Sequence, residues 1–474
     1  MVGRNLKTLA GSSQPSNILT KGSSSTILSC KTYIYAGASN GKKLPVLHRL
    51  NPCSPLNAGG KQSTTTTSSV DVSHRAGRRL RSLFAAVQSG DDAAPAPAPA
   101  ASGGVAIPTT GTPEPGAPGF HDYTVVVGYG TPAQQLAMAF DTGLGISLAR
   151  CAACRPGAPC DGLASFDPSR SSTFAPVPCG SPDCRSGCSS GSTPSCPLTS
   201  FPFLSGAVAQ DVLTLTPSAS VDDFTFGCVE GSSGEPVGAA GLLDLSRDSR
   251  SLASRLAAGA GGTFSYCLPL STTSSHGFLV IGEADVPHNR SARVTAVAPL
   301  VYDPAFPNHY VIDLAGVSLG GRDIPIPPHA AMVLDTALPY TYMKPSMYAP
   351  LRDAFRRAMA RYPRAPAMGD LDTCYNFTGV RHEVLIPLVH LTFRGISGGG
   401  GGEGQVLGLG ADQMLYMSEP GNFFSVTCLA FAALPSDGDA AAPLAMVMGT
   451  LAQSSMEVVH DVQGGKIGVI PGSC

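Results

Sequence analysis

Residues 136–143 read Leu-Ala-Met-Ala-Phe-Asp-Thr-Gly, and residues 330–337 read Ala-Ala-Met-Val-Leu-Asp-Thr-Ala. Each is an apolar run, predicted as a strand, that delivers an Asp-Thr pair at its end: Asp141-Thr142 and, 194 residues later, Asp335-Thr336. A single Asp-Thr at a strand end is ordinary turn chemistry. Two copies in matching apolar settings, one per half of the body, point instead to carboxyls that meet. A carboxylate at the end of an apolar strand is buried charge and needs compensation, which the second copy supplies. Two carboxylates brought together resist double ionisation and share one proton. One then acts as base on a bound water while the other donates to a substrate carbonyl. The catalytic candidates are therefore Asp141 and Asp335. Thr142 and Thr336 orient them by bonding across to the opposing loop, and Gly143 lets the backbone turn close to its carboxylate.

Composition agrees with a β-rich body. The 474 residues hold 55 Gly and 41 Pro, with 43% hydrophobic and 14% charged residues, which disfavours a helical bundle and favours short strands joined by tight turns. No apolar stretch reaches the roughly 18 residues of a membrane span, so none is expected. Charge is uneven. Residues 1–90 carry twelve Lys and Arg against one acid, Asp71, for a net of +11, and the remainder nets −13. The basic head reads either as a solvated tail or as a removable segment lying on an acidic cleft. It contains a basic amphipathic stretch, His74–Phe84, and ends in an Ala/Pro linker, 93–101. Residues 1–104 are thus expected to be a largely disordered targeting and propeptide segment. A first lobe is expected over 105–300 and a second over 301–474.

Fourteen cysteines, twelve of them after residue 150, fit up to six disulfides in that body and passage through an oxidising compartment. Their connectivity stays open. Cys151-Ala-Ala-Cys154 has zinc-ligand spacing, but no second such pair follows and no His pair sits at finger spacing, so no metal and no cofactor is expected. Residues 151–200 read as an irregular, disulfide-held insertion in the first lobe. Asn289 and Asn376 open glycosylation sequons, which agrees with a secreted or vacuolar protein. The acid-poor, hydroxyl-rich first 70 residues point the other way, to a plastid.

Several segments resemble, in order, the pepsin-like aspartic proteases, specifically the plant nepenthesin-type branch. They include Phe140-Asp-Thr-Gly143, the run Phe166–Thr173, Phe226-Gly-Cys228, Phe264–Pro269, Tyr310–Val317, Met448-Gly-Thr450 and Gly468–Cys474. The likeness covers about Asp122 to Cys474 and extends to a propeptide-like stretch, Leu44–Leu56. It implies a mainly β, bilobal fold with a cleft between two β-rich lobes and one catalytic Asp from each. It also implies acid endopeptidase activity on peptide or protein substrates, a propeptide as the chain's own partner, and a monomer.

This chain departs from the family pattern in ways that point to weakened activity. There is no Trp anywhere, and Leu148 stands where the family carries one. Leu144 replaces the Ser after the first motif, while Ala337 and Leu338 replace the Gly and hydroxyl residue of the second. The flap segment 196–206 lacks the usual Tyr, and Asp244 occupies a position that is usually Gly. The alternative function is a catalytically impaired binding or inhibitor protein on the same scaffold, as in the plant xylanase inhibitors. Nucleic-acid binding by the basic head is a third reading, disfavoured because the body is acidic and has no base-reading motif.

Overall fold

The computed structural model describes residues 123–151, 165–184, 188, 195–199, 201, 204–232, 239–260, 263–270, 277–281, 296–395, 405–419, 422–435 and 444–474, with 6–8, 43–49, 51, 53–54, 73 and 76–80 of the head. The fold is mainly β, in two β-rich lobes. In the first lobe, Tyr123–Tyr129 pairs antiparallel with Gln134–Asp141, and Gln134–Asp141 pairs parallel with Gly241–Asp244. Ser147–Arg150 lies beside Gly241–Asp244 and beside the long strand Ala219–Ser232, which forms a hairpin with Leu204–Thr216. The second lobe repeats the device. Val311–Leu319 pairs antiparallel with Ala330–Leu334, and Ala330–Leu334 pairs parallel with Leu444–Met448. By sequence alone, Tyr310–Leu314 and Val317–Leu319 read as two separate strands. The chain instead absorbs an irregularity between Leu314 and Gly316 and continues as one strand.

A sheet joins the halves. Its antiparallel strands run, side by side, 43–48, 277–281, 263–267, 456–461, 466–471 and 296–301. The expected lobe boundary at 300/301 therefore falls inside a strand, Ala296–Val301, that also pairs with Val311–Leu319. The head is not featureless either. Lys43–His48 is a strand with Leu44, Val46 and Leu47 buried, and it also pairs with Tyr123 and Thr124. Residues 76–80 are helical, within the predicted basic amphipathic stretch. Burial of apolar side chains explains the order in both places: Leu44 and Val46 enter the main core, while Ala76 and Leu80 join a second-lobe cluster with Phe306, Val311 and Leu338. The Ala/Pro linker 93–101 and residues 396–404 of the glycine-rich run lie outside the described residues.

Five disulfides are described, and no described cysteine is free. Cys151–Cys228 ties the end of Ser147–Arg150 to the neighbouring strand. Cys179–Cys188 and Cys184–Cys196 staple the insertion, and Cys374–Cys428 links paired strands. Cys267–Cys474 closes a loop of 207 residues and pins the C-terminus to the joining sheet. Cys151 is thus engaged in a disulfide, and Cys154 lies outside the described residues. Cys179, Cys184 and Cys188 cluster closely but are bridged, so they offer no thiolate to a metal.

Candidate active site

Both apolar strands end where the sequence pattern predicts, and both end in buried carboxyls. Gln134–Asp141 carries Asp141 as its last residue, and Ala330–Leu334 delivers Asp335 immediately after it. Asp141 and Asp335 are each 0% exposed. The turn after each strand folds back on its own carboxylate. The Gly143 N–H donates to Asp141 Oδ1 at 2.8 Å. The N–H groups of Ala337 and Leu338 donate to Asp335 Oδ1 at 2.8 and 2.9 Å.

The threonines cross between the halves. Thr142 Oγ1 donates to the Leu334 carbonyl at 3.1 Å, and Thr336 Oγ1 donates to the Phe140 carbonyl at 3.1 Å. Thr336 Oγ1 also accepts from the Thr142 N–H at 3.2 Å. Each hydroxyl thus ties one Asp-bearing turn to the backbone preceding the other Asp. Gln453 supports the second turn from below, donating from Nε2 to the carbonyls of Asp335 and Met448 at 3.0 and 2.8 Å.

One cation sits between the two carboxylates. Arg79, in the helical residues of the head, donates from Nη2 to Asp141 Oδ1 at 2.7 Å and from Nε to Asp335 Oδ2 at 3.0 Å. Asp141 and Asp335 therefore stand within the width of one guanidinium. Arg79 is itself 4% exposed. Burial alone would lower its proton affinity, but the charges of Asp141 and Asp335 outweigh that and raise it, so the group stays a cation. Beside it, His309 is buried, and neither ring nitrogen finds a hydrogen-bond partner among the described residues. Burial and the adjacent Arg79 charge, partly opposed by Asp141, push the imidazole down to about 3, so it is neutral in this arrangement.

The sequence departures have structural counterparts. Ala337 is buried, and its backbone avoids the left-handed region, so the extra methyl needs no strained turn. Leu338 joins the apolar cluster that receives Ala76 and Leu80 of the head. In the first lobe, Leu148 and two residues of the flap segment, Leu198 and Phe201, pack together in an apolar cluster. Asn376 is exposed at the end of a strand, and Asn289 lies outside the described residues.

The structure thus brings Asp141, Thr142, Gly143, Asp335 and Thr336 into one site. Sequence reasoning missed Arg79, His309 and Gln453 as members of it. The surplus of base in the head signalled a basic segment on an acidic cleft, but nothing local singled out Arg79 among twelve bases.

These features can be set beside known proteins. The protein-family models described as Xylanase inhibitor N-terminal and Xylanase inhibitor C-terminal match residues 123–283 and 309–469. An aspartyl protease family protein of Arabidopsis thaliana is 30% identical over 97% of this chain and 92% of its own length. Aspartic proteinase nepenthesin-2 of Nepenthes gracilis is 26% identical over 84% of each chain. Among solved structures, basic 7S globulin from soybean matches with a TM-score of 0.56 at 18% identity, covering 73% of this chain and 91% of that one. Conglutin gamma, a basic 7S globulin from lupine seeds, has a TM-score of 0.56 at 20% identity, covering 74% and 93%. The structural neighbours show the fold alone. The chain belongs to the pepsin-like aspartic proteases, in the plant branch that includes the nepenthesins.

Proposed function

We propose that this chain is the precursor of an aspartic endopeptidase. Asp141 and Asp335 are its catalytic pair, and residues up to at least Leu80 form a propeptide whose Arg79 blocks that pair. The observation that carries this reading is the convergence of both carboxylates on one guanidinium, held by threonines that cross between the halves.

The mechanism follows from the charges. With Arg79 in place, both carboxylates are compensated and no substrate can reach them. Acid protonates carboxylates, which weakens the pairing with Arg79 and favours withdrawal of the helical segment that carries it. Asp141 and Asp335 then share one proton. The ionised partner takes a proton from a bound water as that water attacks the peptide carbonyl, and the protonated partner donates to the carbonyl oxygen. The tetrahedral product collapses as its nitrogen is protonated and the C–N bond breaks. Fixed turns keep the carboxyls in place throughout. The disulfides support passage through an oxidising compartment, and a secreted or vacuolar location is proposed on that basis.

The test is acidification of the purified precursor with a peptide substrate. Cleavage at acid pH, abolished by Asp141→Asn and by pepstatin, is expected. Equal cleavage by Asp141→Asn would refute the assignment.

A second reading has its own observation. Leu148, Leu198 and Phe201 form an apolar cluster, and the matching family models are described as xylanase inhibitor domains. Both favour a binding protein on the same scaffold. Pepstatin binding without turnover at any pH would support this reading over the first.

A further inference from the structure

The two halves differ at one matched position next to the carboxyls. In the second half, Leu444–Met448 runs parallel to Ala330–Leu334 and is followed by Gly449, where a Cβ would stand 2.2 Å from the Tyr340 carbonyl oxygen. Only glycine fits there. In the first half, Gly241–Asp244 runs parallel to Gln134–Asp141 with Asp244 level with Asp141. Asp244, 0% exposed, thus carries a carboxyl side chain at the position where its counterpart has none.

Asp244 is bonded on all sides within the loop it serves. Its N–H donates to Ser147 Oγ at 2.9 Å. Its Oδ1 accepts from the Ser246 N–H at 2.9 Å, and its Oδ2 is 3.0 Å from Ser246 Oγ. The Gly145 N–H bonds the same carboxyl, and Arg250 Nη2 donates to the Gly145 carbonyl at 3.0 Å. The Asp244 carboxyl therefore grips Gly145, which closes the turn carrying Thr142 and Gly143, while its main-chain N–H holds Ser147. The charged and titratable groups around it are few. Asp141 lies on the adjacent strand, and Tyr310 donates its hydroxyl to the neighbouring Leu245 carbonyl. Arg247, Asp248 and Arg250 follow in the same segment, the last two paired with each other. Among the described residues, no cation bonds Asp244.

We propose that Asp244 is a positioning residue for Asp141: its carboxyl, accepting from the Gly145 and Ser246 N–H groups, holds the turn of Thr142 and Gly143 one strand from Asp141. This rests on the reading of Asp141 and Asp335 as the catalytic pair. Burial, opposed by the Ser246 bonds and reinforced by the charge of Asp141, raises the Asp244 carboxyl from 3.8 to about 7. The folded chain then binds a proton that the unfolded chain has released between about pH 4 and about pH 7. Stability falls as pH rises through that window and levels off above about 7.

The test compares the full chain with Asp244→Asn, which mimics the neutral acid at every pH, and with Asp244→Gly, the residue found at the matched position. The readouts are Tm across pH 4 to 8 and pepstatin affinity against pH in an Arg79→Gln background. The parent is expected to lose Tm between about pH 4 and about pH 7 relative to both variants. Asp244→Asn is expected to lose pepstatin about one pH unit lower than its parent, because an ionised Asp244 raises the proton affinity of the neighbouring pair and the amide does not. If Asp244→Asn does not fold, the slope of Asp244→Gly decides the first readout. Parallel Tm curves, or an unmoved pH dependence of pepstatin affinity, overturn the role of Asp244 alone. Absence of pepstatin binding at every pH, with the Tm difference intact, overturns the catalytic pair and the positioning role with it.

Discussion

Gly143 lies so close to His309 that a Cβ on the glycine would stand 2.3 Å from His309 Nε2. The space over the first Asp-Thr turn is therefore filled by a ring from the second half. The matched position in the second half already carries a methyl, on Ala337. The two Asp-bearing turns are alike in hydrogen bonding and unlike in clearance.

Gly143→Ala is expected to force His309 out of place and to cost about 1–3 kcal/mol of stability, the usual range for overpacking a tight core. Ala337→Gly, at a position without positive φ, is expected to stay within about 1 kcal/mol. Denaturant unfolding of both variants measures the contrast, and equal losses would contradict it.

Arg79→Gln removes the cation from between two buried carboxylates. Breaking a buried ion pair by deleting one partner costs about 3–5 kcal/mol. The loss is expected in full at neutral pH and is expected to shrink in acid, where the carboxyls are relieved by protonation. Unfolding free energies at neutral and acid pH, with pepstatin binding by the same variant, check both halves of this expectation. A loss of the same size at both pH values would argue against two ionised partners.

Thr336→Val deletes a hydroxyl that both accepts from Thr142 and donates to Phe140. The stranded N–H and carbonyl are buried, so a loss of about 2–3 kcal/mol is expected, with a drop in peptide cleavage. Thr336→Ser should restore most of both, because it retains the bonding oxygen. Failure of Ser to rescue would mean that the methyl group, not the crossing bonds, matters.

His309 gives the precursor an acid-sensitive stability. The unfolded imidazole takes a proton near 6.5, whereas in the folded chain it is pushed down to about 3. The stabilising contribution of the neutral ring is complete above about pH 6.5 and is lost as pH falls toward about 3. His309→Phe, which keeps a ring against Phe306, is expected to flatten the decline over that window by a few kcal/mol at its acid end. The measurement is the difference in unfolding free energy between variant and parent from pH 3 to 7. A difference that does not change with pH would contradict it.

Much of this architecture is legible in the chain itself, because its signals are local. The apolar runs before Asp141 and Asp335 set two strands, their positions and the residues at their ends. The strong helix formers of Ser346–Ala360 predict a helix, found at Pro345–Ala358, and Ser249–Ala258 reads as another, found at Leu252–Ala260. What is not legible depends on partners distant in sequence. Lys43–His48 becomes a strand because Gly277–Ile281 offers it an edge. Arg79 differs from Arg78 only in which face of its helical turn meets the cleft. His309 sits in a loop whose sequence, Pro307-Asn-His309, carries no periodicity.

The head strand has a consequence for maturation. Lys43–His48 is bonded along one side by Gly277–Ile281 and at its end by Tyr123 and Thr124, with Leu44, Val46 and Leu47 seated in the interior. Scission of the peptide chain between Leu80 and Tyr123 would separate the blocking arginine from the body covalently but leave this ribbon woven into its fabric. The first product of such a cut is a nicked two-piece molecule. Dissociation of the severed piece would uncover a greasy slot and an unsatisfied backbone edge, so retention of the ribbon as a light chain is the outcome that the sheet itself favours.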